Sequence, residues 1–488
     1  MRIPFILCLL AIGFNSSYGQ RYLGNHIGGF SGVYGIQENP ASFVYKRPKW
    51  DINLVGTGLF AYTDYGFLKD ETFFSMINKD IVNGMDSIPA NFNADQSSLF
   101  YANAYDKSLI GLMYQQTIHL PSFCFKLKRF SLGAFANVKI AADAMEAPNF
   151  FSYGKLQNLI DYTPYTVTAF SANTMAWGEI GLHMGYAHEL ENGHTLALGI
   201  NPKYLLGFEA AYIQNKSDYN FYRERDTFFA STANIGMGFA TGASRTTNDY
   251  RLGVLGTGLG LDIGAEYIIP NQGDDEGNKS PHYMKFGVSI KDLGSIRFDK
   301  NTEQHNYAVK DLDFGVLKSI HKNLPHNYDI LKRLSAAIYQ GDSAKSKVSE
   351  EMTFYTPTSL NLTWDYNLRK NIYLHAFISR RLKTLERQIA APNVIAVGGR
   401  FEQRWLEAGA SVSITEDKWF GVGTYVRLGL LTVGTDHINA LLFGQPRLRG
   451  ADIYMSLKIM PFGNGEHKDL GIDNIGNNRG KRAGCYNQ

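Results

Sequence analysis

Ionisable side chains recur in this sequence at alternate positions of otherwise apolar segments. Lys139 follows Ser131, Gly133, Phe135 and Asn137 at every second position, while Phe130, Leu132, Ala134, Ala136, Val138 and Ile140 fill the places between. Glu179 and His183 stand against Ile180, Leu182, Met184 and Tyr186, and Asp262 and Glu266 against Leu259, Leu261, Ile263, Ala265 and Tyr267. Lys285, Lys291, Asp365, Arg400 and Lys458 are set in later segments in the same way. Successive side chains of a strand point to opposite faces, so these residues share one face and the apolar set takes the other. Acids and bases on one face could line a pathway for a polar solute. They equally suit an enclosed interior where polar groups pair because lipid outside cannot hold them. The second reading is plainer and preferred, and the mixed signs argue against a strongly selective anion or cation pore.

Other candidate chemistry is weaker. His188 and His194 flank a turn containing Glu189 and Glu191, a possible donor set for a metal but more simply an exposed hairpin turn. Gly256-Thr257-Gly258-Leu259-Gly260 lies inside an alternating segment with no helix after it, so the context of a nucleotide-binding loop fails. Gly341-Asp342-Ser343 has no strand–turn–helix setting for a hydrolase nucleophile. No nucleophile–base set emerges, so no enzymatic activity, metal or cofactor is expected. A net charge of only +3 gives no field for nucleic acid.

The elements that must carry the charged face are strands. The alternating segments run about 10–13 residues, which suits a tilted membrane strand better than a globular one. They fall near 50–63, 107–127, 130–142, 176–188, 194–206, 257–268, 282–292, 357–367, 371–381, 393–403, 405–414, 419–427, 430–436 and 451–461, fourteen in all, with a margin of two. Tight turns at Lys128-Arg129, Leu190–Gly193, Asn367–Lys370 and near Arg404 alternate with long polar excursions at 68–106, 143–175, 207–256 and 293–356. Short turns at one end and long loops at the other are the expected signature of an outer-membrane barrel. The 49 Gly, 29 Tyr and 31 Phe fit twisted, closing strands with aromatic girdles. Pro121 removes one ladder hydrogen bond and marks a kink, read as a bulge or strand end rather than a lateral gap. Ile330–Tyr339 reads as a short amphipathic helix in the longest loop.

Arg2, the apolar run Ile3–Phe14 and Ser17-Tyr18-Gly19 read as a cleavable signal peptide, cut before Gln20. Cys8 follows Leu7, an unsuitable lipidation context, and Cys124 and Cys485 imply no disulfide framework. The expected organisation is therefore a signal peptide over 1–19, an N-terminal segment over 20–48, an all-β antiparallel transmembrane barrel over 49–462 and a flexible periplasmic tail over 463–488. The expected location is the cell outer membrane.

Several motifs resemble known barrels. Asn39-Pro40-Ala41-Ser42, just before the first strand, resembles the segment that leads from a lumenal N-terminal piece into strand one of FadL-like and PorV-like barrels. Ser289 to Phe298, with Asp292-Leu293-Gly294 at its centre, resembles a strand-end motif of an uncharacterised family of Bacteroidota outer-membrane proteins. Tyr355–Leu362 and Leu428–Ile438 fit the same family. The resemblance implies a fourteen-stranded barrel whose lumen is partly filled by its N-terminal segment, a lumenal plug over 20–48. FadL-like relatives carry hydrophobic compounds, and PorV-like relatives partner protein export and surface attachment by the type IX system. Two functions follow as expectations: an accessory barrel that binds another outer-membrane or secreted protein, and, as the alternative, a passive transporter of small hydrophobic compounds. Outer-membrane lipid is the expected surrounding partner, and the oligomeric state is left open.

Overall fold

The computed structural model describes residues 24–46, 48–64, 66–68, 72, 100–102, 109–148, 160–225, 227–244, 249–271, 282–313, 329–443 and 448–461. The signal-peptide and C-terminal tail readings lie outside these residues.

Fourteen antiparallel strands close into one barrel, as the alternation implied. In chain order they are β1 (Trp50–Thr63), β2 (Leu109–His119 continued by Ser122–Leu127), β3 (Phe130–Pro148), β4 (Phe170–Glu189) and β5 (Thr195–Asn215). Then come β6 (Gly256–Ile269), β7 (Met284–Phe298), β8 (Met352–Tyr355 continued by Ser359–Arg369), β9 (Ile372–Arg381) and β10 (Val394–Glu402). The last four are β11 (Leu406–Thr415), β12 (Trp419–Leu428), β13 (Leu431–Thr435) and β14 (Gly450–Ile459). The seam is sealed by β1 against β14, from Ile52 opposite Ile459 to Tyr62 opposite Gly450. Closure leaves no barrel strand with an unpaired edge.

The wall is inverted relative to a soluble sheet. On β4, Ile180, Leu182 and Met184 are 53%, 62% and 51% exposed on the outside, whereas Glu179 and His183 are 1% and 2% exposed inside. Only a surrounding apolar phase makes that arrangement favourable. No helix among the described residues is long and apolar enough to cross a membrane.

Two features depart from the sequence reading. Strands β3, β4 and β5 have 19, 20 and 21 residues, well beyond the expected lengths, and take up parts of the excursions at 143–175 and 207–256. Their upper ends project past the span that ~9–11 tilted residues cover. There the outward face need not be apolar, so the alternation fades while the ladder continues. Two further strands, Thr227–Ala240 and Thr302–Asp313, pair with each other, and the first also pairs with the upper end of β5. They build a small sheet at the long-loop end.

The second departure is a bulge. The β6–β7 register shifts between Leu261 and Ile263, opposite Asp292, whose backbone is left-handed at φ 55°. One extra residue flips the faces. Before it Lys285, Ser289 and Lys291 point inward; after it Asp292, Ile296 and Phe298 do, and Leu293 turns outward.

Three described helices are short: α1 (Val33–Glu38), α2 (Asp329–Ile338) and α3 (Ile438–Leu442). The second is the helix expected in the longest loop. It is held by Leu331, whose carbonyl accepts from the Tyr307 hydroxyl at 2.8 Å.

Candidate functional site: the filled lumen

Residues 24–46 lie inside the barrel, and almost every one is buried. A chain segment enclosed by strands has no sheet to satisfy its peptide groups, so the wall must supply the partners. It does so with side chains. Lys458 Nζ donates to the carbonyls of Phe30 and Ser31 at 2.7 and 3.0 Å. Glu402 accepts from the Gly29 N–H at 2.8 Å, and Asp51 from the Val33 N–H at 3.0 Å, at the start of α1. Asn201 and Ser289 donate to the carbonyls of Ile36 and Glu38, both at 2.8 Å. Within the segment, Lys46 closes the chain on itself by donating to Ile27 and Gly28 carbonyls at 2.9 and 2.6 Å. Burial pushes that ammonium well below its ordinary pKa.

The Asn39-Pro40-Ala41 motif has a seat. Gly199 and Gly264 face each other across β5 and β6. A methyl group on Gly199 would stand 2.3 Å from the Pro40 carbonyl, and one on Gly264 2.0 Å from Asn39 Oδ1. Glycine is needed at both positions because the plug backbone presses directly on the wall. Asn39 folds back to accept from the Ala41 N–H at 3.0 Å and donates to the Ala265 carbonyl at 3.2 Å.

Around this segment the wall charges pair. Lys203 lies 2.7 Å from both Asp262 and Asp292, and Lys139 lies 2.9 Å from Glu179 and 3.0 Å from Asp292. Lys291 pairs with Glu38 of the plug. Arg400 forks onto Asp365 at 2.7 and 2.8 Å and reaches Glu402 at 2.6 Å. Lys285 stands 3.7 Å from Glu266 and 4.0 Å from Asp365. Lys458 is 3.5 Å from Asp51. His183 bridges Ser131 and Asn201 at 2.8 and 2.9 Å. All ten lumen candidates thus face the interior, each beside a polar partner. Isolated buried charges are costly, whereas paired and hydrogen-bonded ones are tolerated.

The Asp292-Leu293-Gly294 motif belongs to the same site. The left-handed turn at Asp292 aims its carboxylate at Lys139 and Lys203, and Thr356 and Thr358 donate to its carbonyl at 2.6 and 3.0 Å. A side chain on Gly294 would meet the Leu259 carbonyl at 2.7 Å.

Sequence reasoning missed Asp51, Lys203 and the pair Glu407–Arg427, which meet at 3.1 Å. Glu407 and Arg427 are directly opposed on β11 and β12, so a cross-strand register would have found them. Arg427 also stacks over Phe30 of the plug at 4.6 Å. A cavity of about 90 Å³ remains between plug and wall, lined among others by Gln37, Glu38, Gln116, His119, Lys139 and Lys291. Charged and amide side chains share its lining with apolar ones, and it has room for a few waters.

Pro121 does interrupt β2, but the gap is stitched. Asn53 donates to the Leu120 carbonyl at 3.0 Å, and Ser122 Oγ accepts from the Ala136 N–H at 3.2 Å. Asn53 also accepts from the Tyr34 hydroxyl of the plug at 2.7 Å. Of the turn histidines, His194 meets the Tyr267 hydroxyl at 2.5 Å, and among the described residues no acid–histidine–cysteine group is arranged to hold a metal. Near α2, Ser346 Oγ lies 2.7 Å from His305 Nδ1, with Glu303 3.6 Å from the other ring nitrogen. Those are the groups of a nucleophile triad, yet all three are at most 2% exposed and no carbonyl substrate can approach the hydroxyl.

These features define a transmembrane β-barrel with a built-in lumenal plug. The chain belongs to the family of unknown function DUF5723, whose model matches residues 40–436. The match begins inside the Asn39-Pro40-Ala41 motif and ends at Asp436, within the last of the motifs read from the sequence. No curated protein matches the chain. Among solved structures it is similar to a TodX deltaS2S3 mutant monoaromatic hydrocarbon channel, at 10% identity over 91% of this chain and 98% of that one, TM-score 0.42. The P. putida toluene transporter TodX matches at 10% identity with the same coverage and TM-score 0.30. The translocator domain of autotransporter NalP from Neisseria meningitidis matches at 8% identity over 84% and 88%, TM-score 0.27. At such scores no ligand, activity or partner passes from those proteins to this one.

Proposed function

We propose that this protein is a non-enzymatic outer-membrane β-barrel that serves as an accessory scaffold, binding a second outer-membrane or secreted protein at its long-loop end. The role resembles that of PorV-like barrels in surface protein export or assembly. The observation that carries the reading is the fixed plug: residues 24–46 fill the lumen and are held by at least five wall side chains bonded to their backbone. A barrel filled in this way is a platform rather than a conduit. The small sheet and α2 at the long-loop end give that platform a structured face.

Transport of small hydrophobic compounds is the second reading, and the break at Pro121 is what favours it. Asn53 and Ser122 close that break with polar bonds, and the neighbouring cavity is lined by charges, which argues against an apolar passage.

Mild detergent extraction of the tagged protein from its own membrane, followed by mass spectrometry, tests the choice. A stoichiometric protein partner supports the scaffold. Recovery of the barrel alone with apolar small molecules bound, together with uptake of such compounds into vesicles carrying it, overturns the scaffold in favour of transport.

A further inference from the structure

The outer surface carries a trough that the lumenal site does not explain. It lies across β5 to β9, with a volume of about 540 Å³ and an almost wholly apolar lining. The small side chains of Ala265 and Ala376 leave room between the bulkier Tyr267, Phe286, Trp364 and Ile378. Cross-strand register explains the shape. Phe286 opposes Tyr267 on one side and Trp364 on the other, and Trp364 opposes Ala376. The neighbouring row runs from Ala265 through Val288 and Leu362 to Ile378. Each row ends on an alanine, Ala376 in the first and Ala265 in the second, at opposite sides of the trough, so the belt is dented there.

Three arguments select the occupant. All the strands beneath the trough are internal to the barrel, with both ladders made, so an added peptide strand has nothing to pair with. A second barrel presents a convex wall, and two convex walls meet along a line, leaving a trough unfilled. A flexible hydrocarbon chain fills it, because the lining continues the apolar belt marked by exposed Ile200, Ile263, Val288 and Leu362.

The end of the trough nearer the short turns is polar. The hydroxyls of Tyr283 and Tyr366 lie 3.5 Å apart, and His194 pairs with Tyr267. Exposed Arg369 and Lys370 form the β8–β9 turn just beyond. At ~3.4 Å per residue and a tilt of ~45°, Trp364 sits roughly 13 Å below that turn, within the ~15 Å half-thickness of a hydrocarbon core. We propose that the trough binds one acyl chain of a glycerophospholipid from the leaflet at the short-turn end, with its phosphate met by Arg369 and Lys370.

The assignment rests on the membrane-barrel reading, and the experiment separates the two. The full chain is recovered from membranes, passed through nanodiscs of phosphatidylethanolamine and phosphatidylglycerol, returned to mild detergent and analysed by native mass spectrometry. The unaltered protein retains one phospholipid, and Ala265→Phe, which fills the trough from outside, lowers retention about tenfold or more. The double variant Arg369→Ala/Lys370→Ala leaves the trough intact and also lowers retention. Ala410→Phe, exposed on β11 two strands beyond the trough, leaves it unchanged. Equal retention by the unaltered protein and Ala265→Phe overturns the site, as does no retention by either. A dimer that Ala265→Phe dissolves overturns it in favour of a second copy. Failure to fractionate with membranes overturns the barrel reading itself, whereas a membrane-bound barrel with unaltered lipid retention overturns the trough alone.

Discussion

Arg400 illustrates what a lumenal charge is for at the scale of one residue. Its guanidinium forks onto Asp365, touches Glu402 and lies 4.7 Å over the Tyr373 ring, and none of the side chain reaches solvent. Glu402 in turn takes the Gly29 N–H, so the wall pair and the plug form one network. Arg400→Met therefore takes the forked partner from Asp365, leaving it only His282 at 2.8 Å and Lys285 at 4.0 Å, and is expected to lower stability by about 3 kcal/mol, the lower end of the usual effect of breaking a buried pair. Urea unfolding in lipid vesicles, followed by tryptophan fluorescence, measures it. Arg400 and Asp365 were both legible as inward residues from alternation alone. Their pairing was not, because partners on β8 and β10 are separated by a strand and become neighbours only when the barrel curves.

At the scale of elements, the sequence carried the strand count because lipid imposes contrast between faces. It failed above the membrane, where β3 to β5 run on without that contrast, and at Asp292, where one extra residue reverses the faces. Alternation has no means of announcing a bulge beforehand. The β2 break makes a sharper prediction. Asn53→Ala removes both the bond to Leu120 and the bond to Tyr34. Hydrogen exchange is expected to rise around Leu120–Phe123 and along α1 together, while β11 and β12 remain as protected as before. A rise at the break without one in α1 would mean that plug and wall open independently.

The whole molecule reverses the soluble pattern, with apolar side chains outside and a polar centre organised around the chain's own N-terminal segment. Gly264→Leu tests that organisation, since its side chain would occupy the place of Asn39 and Pro40. The barrel is expected to keep its β-sheet circular dichroism while protease gains access to residues 24–46. Ion-conducting steps in planar bilayers, negligible for the unaltered protein, are expected to appear in the variant. Unchanged protection would mean that the plug can be reseated elsewhere. The Asn-Pro-Ala motif implied a plug only through its resemblance to other barrels, whereas the grip on residues 24–46 by Lys458 and Asp51 depends on the two strands that form the seam and is read only from the closed structure.

That seam has a consequence in time. The enclosed segment precedes every strand of the wall in the chain, and the lysine that grips it sits on the last of the fourteen. A cylinder zipped shut before its filling is in place would have to reopen to admit it. The assembling chain must therefore hold β1 and β14 apart until residues 24–46 have settled, so that the last stitch of the wall is also the bolt on its contents.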